Sequence, residues 1–342
     1  MSANRPQVCN YKTRNRKERQ GWLWLVQCLA LLFLAALGCV SAAAQSVAYV
    51  PTHKSNSVAV VNTATNSVID VIPVGIQPLS GAMSPNGQEV YVTNSGWIFG
   101  SNSVSVINTI TNTVVATIPV GNFPIGVAFT PNGAFAYVVN SSANSVSVID
   151  TATRTVVSTI NVGASPWGVA FTLNGAFAYV TNQSANNVSV IDTATKSVVA
   201  TVPVGNNPVG LAITPDGAFA YIANYLSNSV SVISTATNTV VNTIAVGATP
   251  ITVAITPNGA SAYVPNDGSN NVSVINTASN TVTATIAVQE ANPRGVAITP
   301  DGAFAYVSNR MANTVSVVNA ATNSVVATIM GVAVFPEAVI IR

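Results

Sequence analysis

The chain has 342 residues, 49% of them hydrophobic and only 6% charged, and its 12 Lys and Arg face 10 Asp and Glu. Six of those basic residues (Arg5, Lys12, Arg14, Arg16, Lys17, Arg19), one acid (Glu18) and all three cysteines (Cys9, Cys28, Cys39) precede position 45, so the remainder carries 6 basic and 9 acidic residues, a net charge of −3, and no thiol. That balance removes basicity as a reason to expect nucleic-acid binding and excludes a disulfide scaffold, a cysteine nucleophile and a thiolate metal site after position 45, while low charge with high apolar content points to extensive burial.

The first element is a leader. Residues 1–21 are polar and basic, and residues 22–40 are almost wholly apolar. The small-residue run Ser41-Ala42-Ala43-Ala44 then offers a cleavage point before Gln45. This order of regions reads as a secretory signal over 1–44. The 19-residue apolar run comes close to the ~20 residues that span a bilayer, so an uncleaved signal anchor is an alternative, and Leu37-Gly38-Cys39 leaves a lipoprotein reading open. All three place residues 45–342 outside the cytoplasm: secreted, periplasmic or on the cell surface.

From there the sequence repeats. Tyrosines fall at Tyr49, Tyr91, Tyr137, Tyr179, Tyr221, Tyr263 and Tyr306, spaced by 42, 46, 42, 42, 42 and 43 residues. Each repeat contains four β-rich runs separated by turn residues, and no helical periodicity follows the leader. The turn Thr130-Pro131-Asn132-Gly133 returns as Thr214-Pro215-Asp216-Gly217, Thr256-Pro257-Asn258-Gly259 and Thr299-Pro300-Asp301-Gly302. Proline presets φ and glycine accepts a positive one, which makes a tight hairpin between first and second strands. Strands such as Phe135-Ala136-Tyr137-Val138-Val139 are apolar at successive positions, as a strand covered on both faces requires.

Six complete repeats run from Pro78 to about Met330. Three strands remain at the front (46–51, 57–62, 67–74) and one at the end (337–341). Together they form a seventh unit. The expectation is an all-β, seven-bladed propeller of four-stranded antiparallel blades over 45–342, closed by a composite blade whose innermost strand is C-terminal. Tyr91-Val92-Thr93-Asn94 and Tyr179-Val180-Thr181-Asn182, each followed by Ser-Val-Ile and Val-Val-Ala-Thr segments, resemble the YVTN family of β-propeller repeats, over essentially residues 46–342. The resemblance implies the propeller fold and an extracytoplasmic, surface-layer-like setting. Function is left open, since one propeller architecture hosts enzymes and pure binding modules.

Chemistry is scarce. His53 is the one histidine, which rules out a His cluster; beside Lys54 it reads as an exposed loop residue. Asp150 and Asp192 exchange with Asn108, Asn276 and Asn319 at equivalent repeat positions, and Asp216 and Asp301 exchange with Asn132 and Asn258, which indicates turn-forming rather than acid–base work. No metal site, cofactor or catalytic set is expected. Where the repeats differ, one rim collects the loops between second and third strands and those between blades. An insertion there carries Trp97 and Phe99, another loop carries Tyr225, and a third Arg310. The residues after the inter-blade proline (Leu79, Ile125, Trp167, Val209, Ile251, Arg294, Glu337) should face the central funnel.

The candidate ligand site is therefore Trp97, Phe99, Trp167 and Tyr225 as walls with Arg294, Arg310 and Glu337 as a polar edge. A rival arrangement pairs Arg294 with Glu337 and lets the aromatics plug the tunnel. The function expected is a binding or scaffold propeller at the cell envelope, with a ligand or envelope protein at the rim. Lateral self-association through bare outer edge strands is also conceivable. Alternatives are a lactonase-like or lyase-like enzyme at the rim, and single-stranded nucleic-acid binding by the aromatics with Arg294 and Arg310, which the net charge of −3 argues against.

Overall fold

The computed structural model describes residues 47–96, 101–288 and 292–341. The leader expected over 1–44 lies outside them. The β-rich runs form seven four-stranded antiparallel sheets. One unit is typical: its strands are Phe177–Asn182 and Asn187–Asp192 in the middle, flanked by Pro166–Phe171 inside and Ser197–Pro203 outside. The middle strands are buried along nearly their whole length because neighbouring blades cover both faces. The outermost strand is largely exposed, with Val202 as its buried exception.

The seventh sheet joins the two ends of the chain in the order Ile340–Ile341, Val47–Thr52, Ser57–Asn62, Ser67–Pro73. Tyr49 pairs with Ile340 and Ala48 with Ile341. Regular pairing of the C-terminal strand is shorter than the expected 337–341. The reason is a bulge common to the inner strands, seen where Pro166 pairs with Asn182 but Val169 with Val180. At the seam the equivalent contacts are the bridge from Thr52 to Pro336 and the Glu337 N–H donated to the Pro51 carbonyl at 3.0 Å. A bulge leaves residues out of the ladder and re-aims their side chains. In four blades those are the residue after proline and the glycine that follows it, Gly126, Gly168, Gly210 and Gly295.

That glycine is a packing requirement. A Cβ on Gly210 would lie 2.6 Å from the Ile251 carbonyl oxygen of the next blade, and one on Gly295 would lie 2.5 Å from the Glu337 carbonyl oxygen. Both neighbours are backbone, so the inner strands approach as closely as they do because no side chain stands between them.

Further out, five of the seven repeat tyrosines link their blade to the next. The Tyr221 hydroxyl donates to Asn280 Oδ1 at 2.6 Å, and Tyr306 donates to Asn66 Oδ1 at 2.8 Å across the seam. Each of these asparagines ends the turn between third and fourth strands in the left-handed region (φ 52 at both). The asparagine thus does two jobs, tolerating that backbone and accepting the bond. In the turn facing Tyr91 the equivalent residue is Arg154, and the Tyr91 hydroxyl is buried without a partner. Burial, and then the nearby Glu89 carboxylate, push that phenol up to about 12. The turn aspartates are structural, as expected: Asp150 Oδ1 accepts the Thr153 N–H at 2.8 Å, and such bonds hold its carboxyl below the usual range.

Two outcomes follow. Asn280→Gly keeps the left-handed backbone but removes the shorter of the two bonds of the Tyr221 hydroxyl, leaving the Thr277 carbonyl at 3.3 Å, so urea unfolding should show a loss of about 0.5–1.5 kcal/mol; Arg154→Gly, which removes only an exposed ion pair to Glu89, should cost about 0–1 kcal/mol. Deleting 335–342 removes the innermost strand of the closing blade, including buried Val339 and Ile340, each worth about 1.5–3 kcal/mol. That truncation should aggregate or melt far below the intact protein in a thermal scan, and unchanged melting would contradict the seam.

Candidate functional site

The bulges aim six of the seven residues after proline into a central cavity of about 610 Å³: Leu79, Ile125, Trp167, Ile251, Arg294 and Glu337 line it. Val209, the seventh, turns into the blade core instead, where it packs with Trp167 and Tyr225. Tyr225 is thereby used in packing and is not among the cavity-lining residues, a correction to its place in the expected wall. Trp97 and Phe99 lie outside the described residues.

Arg310 enters the same cavity from the loop after Phe304–Asn309. Its Nε donates to Glu337 Oε1 at 2.8 Å, while Arg294 Nη1 lies 3.3 Å from Glu337 Oε2. The carboxylate therefore bridges two guanidinium groups rather than pairing with Arg294 alone, and Trp167 lines the wall of the cavity. Glu337 is only 7% exposed. Loss of hydration raises its pKa above the ordinary carboxylate value; the two arginines oppose that shift without cancelling it. Phe335, two residues earlier, has the cations of Lys54 and Arg310 over its ring at 4.1 and 4.8 Å from the centroid.

Two contributors escaped the sequence reading. His53, expected as an exposed loop residue, is half-buried and lines the cavity. The cause is the seam: its N–H donates to the Phe335 carbonyl at 2.9 Å, which ties the loop to the closing segment. Burial first, then the positive charges of Arg310, Arg294 and Lys54, lower its pKa, so the ring is neutral at about pH 7. Its Nδ1 is buried with no hydrogen-bond partner. Phe123 also lines the cavity, from the position before the inter-blade proline, with φ of 56. The signal lay in the sequence: a bulky residue at a left-handed turn position is uncommon, and Phe123 and Phe335 share that place in two blades.

Among the described residues no group of three or more His, Cys, Asp or Glu side chains could hold a metal ion, and no helix is long and apolar enough to cross a membrane.

Comparison with known proteins agrees with this geometry at the level of the fold. The family model of the cytochrome D1 heme domain matches residues 130–259, well under half of the chain. No curated protein matches. Among solved structures, hydrazine synthase of Kuenenia stuttgartiensis superposes with a TM-score of 0.70 at 26% identity, over 77% of this chain and 89% of that one. The dihydro-heme d1 dehydrogenase NirN, in complex with DHE, gives 0.64 at 14% identity over 85% and 73%. A protein described as a 6-phosphogluconolactonase of Bacteroides uniformis gives 0.73 at 18% over 87% and 100%.

The stretch matched to the heme domain contains no histidine, cysteine or methionine. Of its tyrosines, Tyr179 and Tyr221 have their hydroxyls bonded to Asn238 and Asn280 in turns of the next blade, Tyr137 is buried at the same repeat position, and Tyr225 packs against a blade core and does not line the cavity. Those residues do not fit an iron-ligating heme site, which needs an axial His, Met, Cys or Tyr free to bind.

The electrostatics of His53 give a measurable signature. A histidine whose pKa is lowered on folding adds stability above its unfolded value near 6.5, and that contribution is lost as pH falls through the folded value. The wild-type melting temperature should therefore drop on acidification below about pH 6.5, with a shallower slope in His53→Gln; identical slopes would place His53 away from Arg310 and Arg294.

Proposed function

We propose that this chain is a non-catalytic binding propeller of the cell envelope that holds a small ligand in its central funnel. One observation carries the reading: a cavity of about 610 Å³ whose apolar wall (Leu79, Ile125, Trp167, Ile251) meets one compact polar cluster of His53, Arg294, Arg310 and Glu337. A few polar groups fixed in an apolar concavity of 300–1,000 Å³ are typical of small-molecule sites. The secretory character of residues 1–44 supports placement outside the cytoplasm.

Ligand-observed NMR of the purified protein with a panel of small aromatic and aliphatic compounds tests this. Compounds that bind the wild type should lose more than tenfold in affinity, about 1.4 kcal/mol, in Trp167→Ala. Hits that ignore this substitution would move the site out of the funnel.

A second reading, hydrolysis of a lactone, is favoured by one feature: His53 is a neutral potential base beside two guanidinium groups. The fold likeness to the protein described as a 6-phosphogluconolactonase supports asking the question. Turnover of a sugar lactone that disappears in His53→Gln would establish catalysis and displace the binding reading.

A further inference from the structure

The funnel carries more cation than its own acid can satisfy. Arg294 and Arg310 bring two positive charges, Glu337 one negative, and His53 is held neutral, so among the described residues that line the cavity there is a surplus of one positive charge. The geometry of the ion pairs makes the surplus accessible. A guanidinium offers five N–H donors in a planar fork and forms its strongest pairs bidentately. Arg310 engages Glu337 through Nε, at 2.8 Å, and Arg294 through Nη1, at the longer distance of 3.3 Å. Among the described residues these are the hydrogen bonds and ion pairs of the two guanidinium groups. Each therefore keeps further N–H groups, and both residues line the cavity.

We propose that the funnel is a site for a monoanion with a flat apolar body, whose carboxylate-like head takes the unused donors of Arg294 and Arg310 in competition with Glu337. This deepens the binding reading above and rests on it. The head is monoanionic because one charge neutralises the cluster, while a second would meet the buried Glu337 carboxylate. The body is apolar and flat because Trp167, Phe123, Leu79, Ile125 and Ile251 line the cavity, and an aromatic wall accepts a planar group face-on or edge-on. A cavity of about 610 Å³ is also far larger than a bare inorganic anion would require. Glu337 holds the two arginines in place before the ligand arrives and sets a ceiling on its affinity. The ion pairs that look like a closed structural element are the resting state of an anion clamp.

Calorimetric titration of the full chain at low salt with 2-naphthoate, its neutral counterpart 2-naphthamide, and a 2-naphthylmethylammonium cation tests this. Naphthoate should bind at least tenfold (~1.4 kcal/mol) more tightly than the amide, and the cation should not bind. Arg310→Gln should erase that preference, so that naphthoate and the amide bind with equal affinity. Glu337→Gln, which removes the competitor and keeps the shape, should tighten naphthoate several-fold, an effect that a purely structural role for Glu337 cannot produce. Should the glutamine variant fail to fold, Arg294→Gln in place of Arg310→Gln supplies a second independent loss of preference.

Equal, Trp167-dependent affinities for acid and amide would overturn the anion clamp and leave the funnel reading standing. Naphthoate binding insensitive to both Trp167→Ala and Arg310→Gln would overturn both. Absence of saturable binding by any of the three probes would overturn the ligand class proposed here.

Discussion

Everything in this protein depends on how closely its inner strands approach one another. Gly210 and Gly295 permit backbone-to-backbone contact between successive blades, since a Cβ at either would lie within 2.6 Å of a carbonyl oxygen. Beside four such glycines a bulge takes the residue after proline out of the ladder, and three of those residues, Ile125, Trp167 and Arg294, line the cavity. The tyrosine-to-asparagine bonds act on the same interfaces farther from the axis. They are dispensable singly, as the unpaired Tyr91 hydroxyl shows, and their repetition keeps the blades in register.

The seam is where the regularity ends and the chemistry begins. A propeller built from near-identical repeats would have a symmetric, featureless funnel. Here the charged residues of the cavity belong to the last complete blade and the closing segment, Arg294 and Arg310 on the one and Glu337 on the other, with His53 joined from the N-terminal side. The junction of the two chain ends is thus both the element that completes the ring and the one that carries its polar groups. Substitutions there act on stability and binding together, so isosteric changes such as Glu337→Gln report on binding more cleanly than truncations to alanine.

The acidic residues divide into one cavity carboxylate and a set of turn carboxylates. Glu337 is the carboxylate of the cavity and is engaged by two arginines, with no second acid beside it among the lining residues. Four turn aspartates at repeat positions, Asp150, Asp192, Asp216 and Asp301, have their carboxyls held low by local hydrogen bonds, the behaviour of turn-capping groups. Their free exchange with asparagine between blades is explained by geometry: the atom used is an acceptor Oδ1, which both residues own.

The fold was legible in the sequence because each of its determinants is local and repeated. The tyrosine period, the Thr-Pro-Asn-Gly hairpins and the doubly apolar strands act within one repeat, and the leftover strands at the two ends could close only as a composite blade. Four of the candidate residues, Trp167, Arg294, Arg310 and Glu337, were found by asking where the repeats differ. The rest needed the tertiary structure. Tyr225 and Val209 share rim positions with lining residues, yet Val209 is buried in a blade core and Tyr225 packs half-buried against it. His53 is a loop residue by every local signal, and it enters the cavity because its N–H donates to a carbonyl of the C-terminal segment, more than 280 residues away in sequence. That Glu337 bridges two guanidinium groups and leaves both with spare donors is likewise a matter of distances between separate blades. Local periodicity encodes which strands form and which way they face; the contents of the funnel are set by contacts across the seam, which no local pattern records.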